Sequence, residues 1–244
     1  MAWQRAASIF LFIAVWWIAA ALADSRLLPA PDAVVAAIVK ELENGRLLYH
    51  LGATLARVAA SFFIAMLIGG VIGAAMGLWR SFDRWADGWI LILLNIPALV
   101  AIILCYVWLG LNETAAILAV SINKIPNVAV TLREGARALD RDYSEMAAAY
   151  RFGPVKTIFH VILPPLYPFI LAAARNGLAL VWKIVLVVEL LGRSNGIGFM
   201  LHSFFQLFEI TQLMAYTIAF VLVVLAIEML IIQPLDVRAN RWRR

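Results

Sequence analysis

An all-α, polytopic membrane bundle of about six spans is the fold class this chain predicts, on three observations. Hydrophobic residues fill 64% of the 244 positions and charged residues only 14%, and the mean hydropathy is +0.91, far above what the core of a soluble domain requires. Several apolar runs are long enough to cross a hydrocarbon core of about 30 Å at about 1.5 Å per residue. The basic residues gather at alternate ends of those runs, the trace that topology leaves on cytoplasmic loops.

Taken in order, the first span, roughly Ala6–Ala23, follows Arg5 and ends in Ala21-Leu22-Ala23. That ending resembles a signal-peptidase site, but the apolar stretch is long for a signal peptide, so a retained span is expected. Pro31 to Gly45 predicts a short amphipathic helix on the outer side. Asp32 lies near its start, Val35, Ile38, Val39 and Leu42 share one face, and Gly45 stops it. A helix lying on the membrane surface and a docking surface for a soluble partner both fit. The second span, roughly Thr54–Leu78, carries Ser61, Ala65, Gly69, Gly73 and Gly77 at every fourth position. Such a stripe lets another helix approach closely, within the subunit or at a dimer seam.

The third span, roughly Trp89–Leu109, and the fourth, roughly Thr114–Leu139, are separated by a short turn from Gly110 to Glu113. The fifth, roughly Tyr167–Leu190, and the sixth, roughly Leu213–Pro234, flank a turn-rich stretch, Gly192 to Gln212. With the N-terminus inside, Arg5, Arg80, Arg84, Arg133, Arg137, Arg141, Arg151, Lys156, Arg238, Arg241, Arg243 and Arg244 fall at cytoplasmic ends. Arg26, Lys40, Arg46, Arg57 and Arg193 remain outside. Both termini are therefore expected in the cytoplasm. The net charge of +5 is a topology signature and does not point to nucleic acid. The single cysteine, Cys105, excludes an intrachain disulfide, and His50, His160 and His202 lie too far apart for metal-ligand spacing.

Between the fourth and fifth spans lies a polar, amphipathic insert, Glu145 to Pro164, which divides into two short helices. Asp142 with Glu145 resembles a capping box, and Ala147, Ala148 and Ala149 favour helix without bulk. Gly153-Pro154 breaks the chain and restarts it. Val155, Ile158, Phe159 and Ile162 continue an apolar face to a stop at Pro164-Pro165.

This insert resembles the cytoplasmic coupling loop of ABC importer permeases, with the pattern E-A-A-x3-G-x9-I-x-L-P. Glu145 matches the glutamate, Ala147 the second alanine and Leu163-Pro164 the closing leucine-proline. Leu27-Leu28-Pro29-Ala30-Pro31, Asn95-Ile96-Pro97-Ala98, Trp108-Leu109-Gly110, Glu189-Leu190-Leu191-Gly192 and Ser194-Asn195-Gly196-Ile197-Gly198 are similar to the nitrate/sulfonate/taurine branch. Met146 stands at the first alanine. The family's loop glycine falls at Arg151, with Gly153 two positions later, so the bend is expected to shift. Asn123-Lys124-Ile125-Pro126-Asn127 is unusually polar for the fourth span.

The resemblance implies a type I ABC importer permease-like fold, one transmembrane permease domain over 1–244, with a periplasmic helix at about 31–45 and a coupling loop at about 140–165. It implies a bacterial inner-membrane location, a second permease copy, two cytoplasmic ABC ATPase subunits and a periplasmic substrate-binding protein. Glu145, Met146, Ala147, Ala148, Tyr150, Arg151, Phe152, Gly153 and Pro154 would form the ATPase-coupling surface. The chain has no Gly-rich phosphate loop followed by Lys-Ser/Thr, so ATP and Mg are expected in the partner, with no cofactor in this chain.

Polar residues inside spans are costly and face a bundle interior or an aqueous cavity. Asn123, Lys124, Asn176, Lys183 and Glu189 are the pathway candidates on that ground, each able instead to pair structurally. Lys183 and Asn176, seven apart, share a helix face and could present a cation and an amide to an anionic or zwitterionic cargo. A heterocyclic or aromatic nutrient fits the same machinery. A membrane-embedded enzyme would be expected to cluster His, Asp or Ser near one interface, and a simple channel would need no ATPase.

Overall fold

The computed structural model describes residues 2–23 and 25–234, with the backbone alone at 2, 5, 6, 9, 141, 143, 144 and 148. The basic tail residues Arg238, Arg241, Arg243 and Arg244, and the side chains of Arg5 and Arg141, lie outside the described residues. Every regular element described is helical. The helices are α1 (Ala2–Ala23), α2 (Pro31–Glu43), α3 (Arg46–Leu78), α4 (Arg80–Asn95), α5 (Ala98–Leu109), α6 (Glu113–Arg137), α7 (Arg141–Ala149), α8 (Pro154–Thr157), α9 (Leu163–Gly192), α10 (Ile197–Gln206) and α11 (Ile210–Ile227). π-Helical turns at Ile158–Ile162 and Glu228–Ile232 follow α8 and α11.

Four continuous stretches are long and apolar enough to cross a membrane: Arg46–Leu78, Glu113–Arg137, Pro154–Gly192 and Ile210–Ile232. The expected third span is not one straight helix. α4 and α5 are bent by 96° at their junction, because Pro97 lacks an N–H and its ring pushes Ile96 into extended backbone (φ −72°, ψ 120°). In α1 the apolar part, Phe10–Ala23, is shorter than the four spans.

The expected stop at Pro164-Pro165 does not occur either. Pro154–Gly192 is one helix of 39 residues. The wide turn at Ile158–Ile162, closed by the Leu163 N–H donating to the Ile158 carbonyl, changes the hydrogen-bond register just before the two prolines. Pro164 and Pro165 then occupy the first turn of α9, where a missing donor costs least, and Pro168 lies inside the helix.

The chain folds into two compact units. The first joins Met1–Leu55 with Glu189–Leu225. Here α2 starts with Pro31 at its first position and ends before Gly45, whose φ is +70°. Its buried face is Val34 and Glu41, with Ile38 half-buried, while Val35, Val39 and Leu42 stay exposed. The expected apolar face is thus the free one. Glu41 accepts a 2.8 Å hydrogen bond from the buried Tyr216 hydroxyl, which explains how a carboxylate can turn inward.

The second unit joins Ala56–Val188 with Ala226–Arg244, and α6 is its central helix. α3 meets α6 along the small-residue stripe: a Cβ on Gly69 would lie 2.7 Å from the Ile125 carbonyl oxygen, and one on Gly77 2.7 Å from that of Arg133. At Gly73 it would collide with the backbone of Ala129. The stripe therefore serves packing within the subunit. Met76, Ala86, Ile90 and Ala129 bring α3, α4 and α6 into one cluster. Val128, Leu132 and Ala136 of α6 join Leu166 and Ala173 of α9 in another. Of the spans, α6 has the most buried apolar window. Its shielding from lipid is the physical reason it can carry Asn123, Lys124 and Asn127.

Candidate functional site

The polar insert is built as a helix, a left-handed turn and a second helix. α7 is capped by Asp140, whose Oδ1 accepts the Asp142 N–H at 3.1 Å; a simple N-cap two residues earlier stands in place of the capping box expected at Asp142 and Glu145. At its other end the Tyr150 N–H donates to Met146 O and the Phe152 N–H to Ala147 O at 2.9 Å. That second bond is the six-to-one closure of a Schellman motif, with Arg151 at the position that normally needs glycine. Arg151 has φ +52°, whereas Gly153 has an ordinary φ of −66°. The bend has not moved to Gly153. It stays where the family pattern has glycine, and an arginine takes it.

Gly153 caps α8 in extended conformation, and Pro154 takes the first helical position. The Lys156 ammonium sits 4.3 Å from the Phe152 ring centroid, and the Tyr150 and Phe152 rings are 6.2 Å apart. These contacts fasten the two arms of the turn. Ala147 is buried, while Met146 (41% exposed) and Tyr150 (72%) lie one turn apart on a free face. Glu145 is exposed, and the side chain of Ala148 lies outside the described residues.

The five intramembrane candidates fall in three settings. Asn176 and Lys183 are exposed on α9, in line with Ala172 and Ala179, while Ala173, Gly177, Val181, Val185 and Val188 form the buried face. Lys124 on α6 is only 3% exposed, and no hydrogen bond or ion pair reaches its ammonium among the described residues. Its stem crosses α9 at Gly177, where a Cβ would lie 2.5 Å from Lys124 Cε and 3.1 Å from Nζ. Lys124 thus packs on the buried face of α9 at Gly177, away from the exposed Asn176, and Asn123 is half-buried on the same helix as Lys124.

Glu189 belongs to the first unit and is fully buried. Its Oε2 accepts the Thr54 hydroxyl at 2.9 Å and the Gly198 N–H at 2.9 Å. Thr54 Oγ1 in turn accepts the Ile197 N–H at 2.8 Å, and His50 Nδ1 the Gly196 N–H at 3.1 Å. Gly196 has φ +110° and presses on the carboxylate so closely that any Cβ there would collide with it. The Glu189 and Ser194–Gly198 motifs are therefore one device, in which a carboxylate caps the start of α10 from another helix.

Sequence reasoning missed two groups. Arg57, counted above among outer charges, is 4% exposed and donates a pair of hydrogen bonds to the Glu113 carboxylate, Nε to Oε2 at 2.8 Å and Nη2 to Oε1 at 2.7 Å. Arg133 reaches Asp83 at 2.7 Å and Asp87 at 2.6 Å, and Arg137 joins Asp83, tying α6 to α4. The Asp83 and Asp87 spacing of one helical turn was the available signal.

Residues 65–235 match the family described as binding-protein-dependent transport system inner membrane component. The chain is 31% identical over 190 residues to a protein of Escherichia coli named as an aliphatic sulfonates transport permease, SsuC, covering 77% of this chain and 72% of that protein. It is 27% identical over 242 residues to the taurine transport system permease TauC of Escherichia coli, covering 96% and 88%. Among solved structures, a chain of the MetNI methionine ABC transporter in an inward-facing conformation shares the fold. Its TM-score is 0.66 at 17% identity, over 82% of this chain and 96% of that one. A chain of an amino acid ABC transporter is similar at TM-score 0.61 and 22% identity, over 82% and 97%.

Proposed function

This chain belongs to the family of binding-protein-dependent transport system inner membrane components and is the permease of an ABC importer, and from that premise we propose how its parts divide the work. A second copy completes the pathway, a periplasmic binding protein delivers cargo, and two ATPase subunits hold the α7–α8 insert and bind ATP with Mg. Both termini and the insert face the cytoplasm, a reading supported by Arg80, Arg84, Arg133, Arg137 and Lys156 at one set of helix ends. Closure of the ATPase pair swings the permeases between inward- and outward-facing states, each favoured by a different nucleotide state.

The cargo is a small anionic or zwitterionic solute of the sulfonate or taurine kind. The observation that carries this is the exposed α9 face, where Ala172, Asn176, Ala179 and Lys183 recur over about three turns. Lipid selects against an ammonium and an amide on a facing surface. Small residues between polar ones suit a water-filled seam with a second copy. Lys124, buried against Gly177 of the same helix, adds a second cation inside the bundle, and the names of the sulfonate and taurine relatives agree in sign.

Proteoliposomes holding the permease, its ATPase and its binding protein test this. Lys183→Met lowers ATP-driven uptake of an alkanesulfonate at least tenfold and leaves assembly and basal ATP hydrolysis intact. Undiminished uptake would remove Lys183 from the pathway.

A further inference from the structure

A cavity of about 1020 Å³ opens between the end of α3, the start of α4 and the end of α6. Its lining includes no residue of α9 or of the α7–α8 insert. Gly77 and Leu78 form one wall, and Arg80, Arg84 and Arg137 line the rim around Asp83. The acidic side chain is already committed: Asp83 faces Arg133 and Arg137. Arg80 and Arg84 are exposed and make no hydrogen bond or ion pair among the described residues. Two guanidiniums one helical turn apart, open to one cavity, match a phosphate with its several acceptor oxygens.

The surroundings say where that phosphate comes from. α4 runs antiparallel to the last turns of α6, since Asp83 meets Arg137, Asp87 meets Arg133 and Ile90 shares a cluster with Ala129. It therefore rises into the bilayer along a spanning helix. Trp85 (68% exposed) and Trp89 (60%) lie on its free side. Trp89 is five residues past Arg84, roughly 7 Å deeper at 1.5 Å per residue. That offset is about the thickness of one headgroup layer. Guanidiniums and the Trp85 indole at headgroup level, with the Trp89 indole at the acyl boundary, is the arrangement membrane interfaces select.

We infer that Arg80 and Arg84, with Arg137 behind them, hold the phosphate of an anionic phospholipid, its glycerol and first methylenes lying against Trp85 and Trp89. Basic clefts between membrane helices bind such headgroups, and each basic residue at the surface contributes about fivefold in affinity. The site is separate from cargo and from ATP.

Native mass spectrometry of the assembled complex, titrated with phosphatidylglycerol, tests it. The wild-type complex retains one lipid per permease copy, the Arg80→Gln/Arg84→Gln pair retains it roughly 25-fold more weakly, and Arg80→Lys/Arg84→Lys restores most of the affinity. Trp85→Leu/Trp89→Leu weakens retention too, with the arginines untouched. Phosphatidylcholine is not retained, and millimolar inorganic phosphate does not displace the lipid. Equal retention by the glutamine pair in an intact complex overturns the assignment. So does full displacement by inorganic phosphate, which would make the rim a free-anion site, or retention by the isolated permease but not by the assembled complex, which would make the rim part of the ATPase interface.

Discussion

Replacing Arg151 by glycine puts a number on the turn that shapes the insert. A left-handed backbone costs a residue with a Cβ about 1–2 kcal/mol that glycine does not incur. Glycine gives back about 0.5–1 kcal/mol through the extra freedom it loses on ordering. With φ at +52°, Arg151→Gly therefore stabilises the turn by a net of about 0.5–1 kcal/mol. The bond that reports it is the Phe152 N–H to Ala147 O, whose opening is measured by hydrogen exchange. Protection of the Phe152 amide rises about two- to fivefold in Arg151→Gly and falls in Arg151→Val, where branching adds to the strain. Gly153→Ala is the control: φ is −66° and nothing lies within 4 Å of a new Cβ, so the turn is unharmed. If Arg151→Gly lowers protection while Gly153→Ala leaves it unchanged, the arginine side chain supports the turn and the strain argument is wrong.

Four further outcomes are expected. Gly73→Val forces α3 from the α6 backbone and lowers stability by about 3 kcal/mol, the upper end for overpacking, seen as a lower unfolding midpoint in detergent. Gly70→Val, with open space beside it, does not. Glu189→Ala orphans the Gly198 N–H and leaves the Thr54 hydroxyl only the His50 carbonyl to donate to, costs about 1–3 kcal/mol, and exposes the segment from Arg193 to Ile197 to proteolysis. Tyr150→Ala removes an exposed aromatic anchor and weakens ATPase association by about 2 kcal/mol or more in a pull-down titration, with membrane insertion normal. In a Cys105→Ala background, cysteines at Asp32 and Ser194 react with an impermeant thiol reagent from outside, and one at Lys156 reacts only after the inner face is opened; equal labelling in intact cells rules out the proposed orientation.

What could be read in advance was whatever depends on local periodicity. The Ser61-to-Gly77 stripe was legible because a repeat of four defines a helix face wherever the helix lies. The α2 boundaries followed from Pro31 and Gly45, whose backbone preferences act within a turn. Direction was not legible: Trp89–Leu109 reads as one apolar stretch across Asn95 and Pro97, and hydropathy is blind to a 96° bend. Pro164-Pro165 looked like a stop because the preceding π turn leaves no compositional mark. At the sites, Glu145 to Pro154 stood out by spacing, but that Arg151 itself takes the glycine conformation could be seen only in the backbone. Pairings across long separations were hidden for a different reason. Arg57 and Glu113 are 56 positions apart, and a charge beside a span looks the same in sequence whether it meets water or a partner. Glu189 shows the same limit, since its oxygen is answered by a hydroxyl 135 positions away and by a backbone N–H that any non-proline residue could supply.

The contact between α3 and α6 bears on how this subunit can move. Where Gly69, Gly73 and Gly77 meet the carbonyls of Ile125, Ala129 and Arg133, no layer of side chains separates the two backbones. Side chains are the usual lubricant between helices, because rotamer changes let one slide on another by an ångström or two. Without them, shear across this seam would drive peptide groups into each other, so the two helices translate and tilt as a single plate. Any large conformational cycle must then flex elsewhere in the chain, at joints such as the Pro97 corner or the widened turn at Ile158–Ile162, where the helical hydrogen-bond ladder is already interrupted.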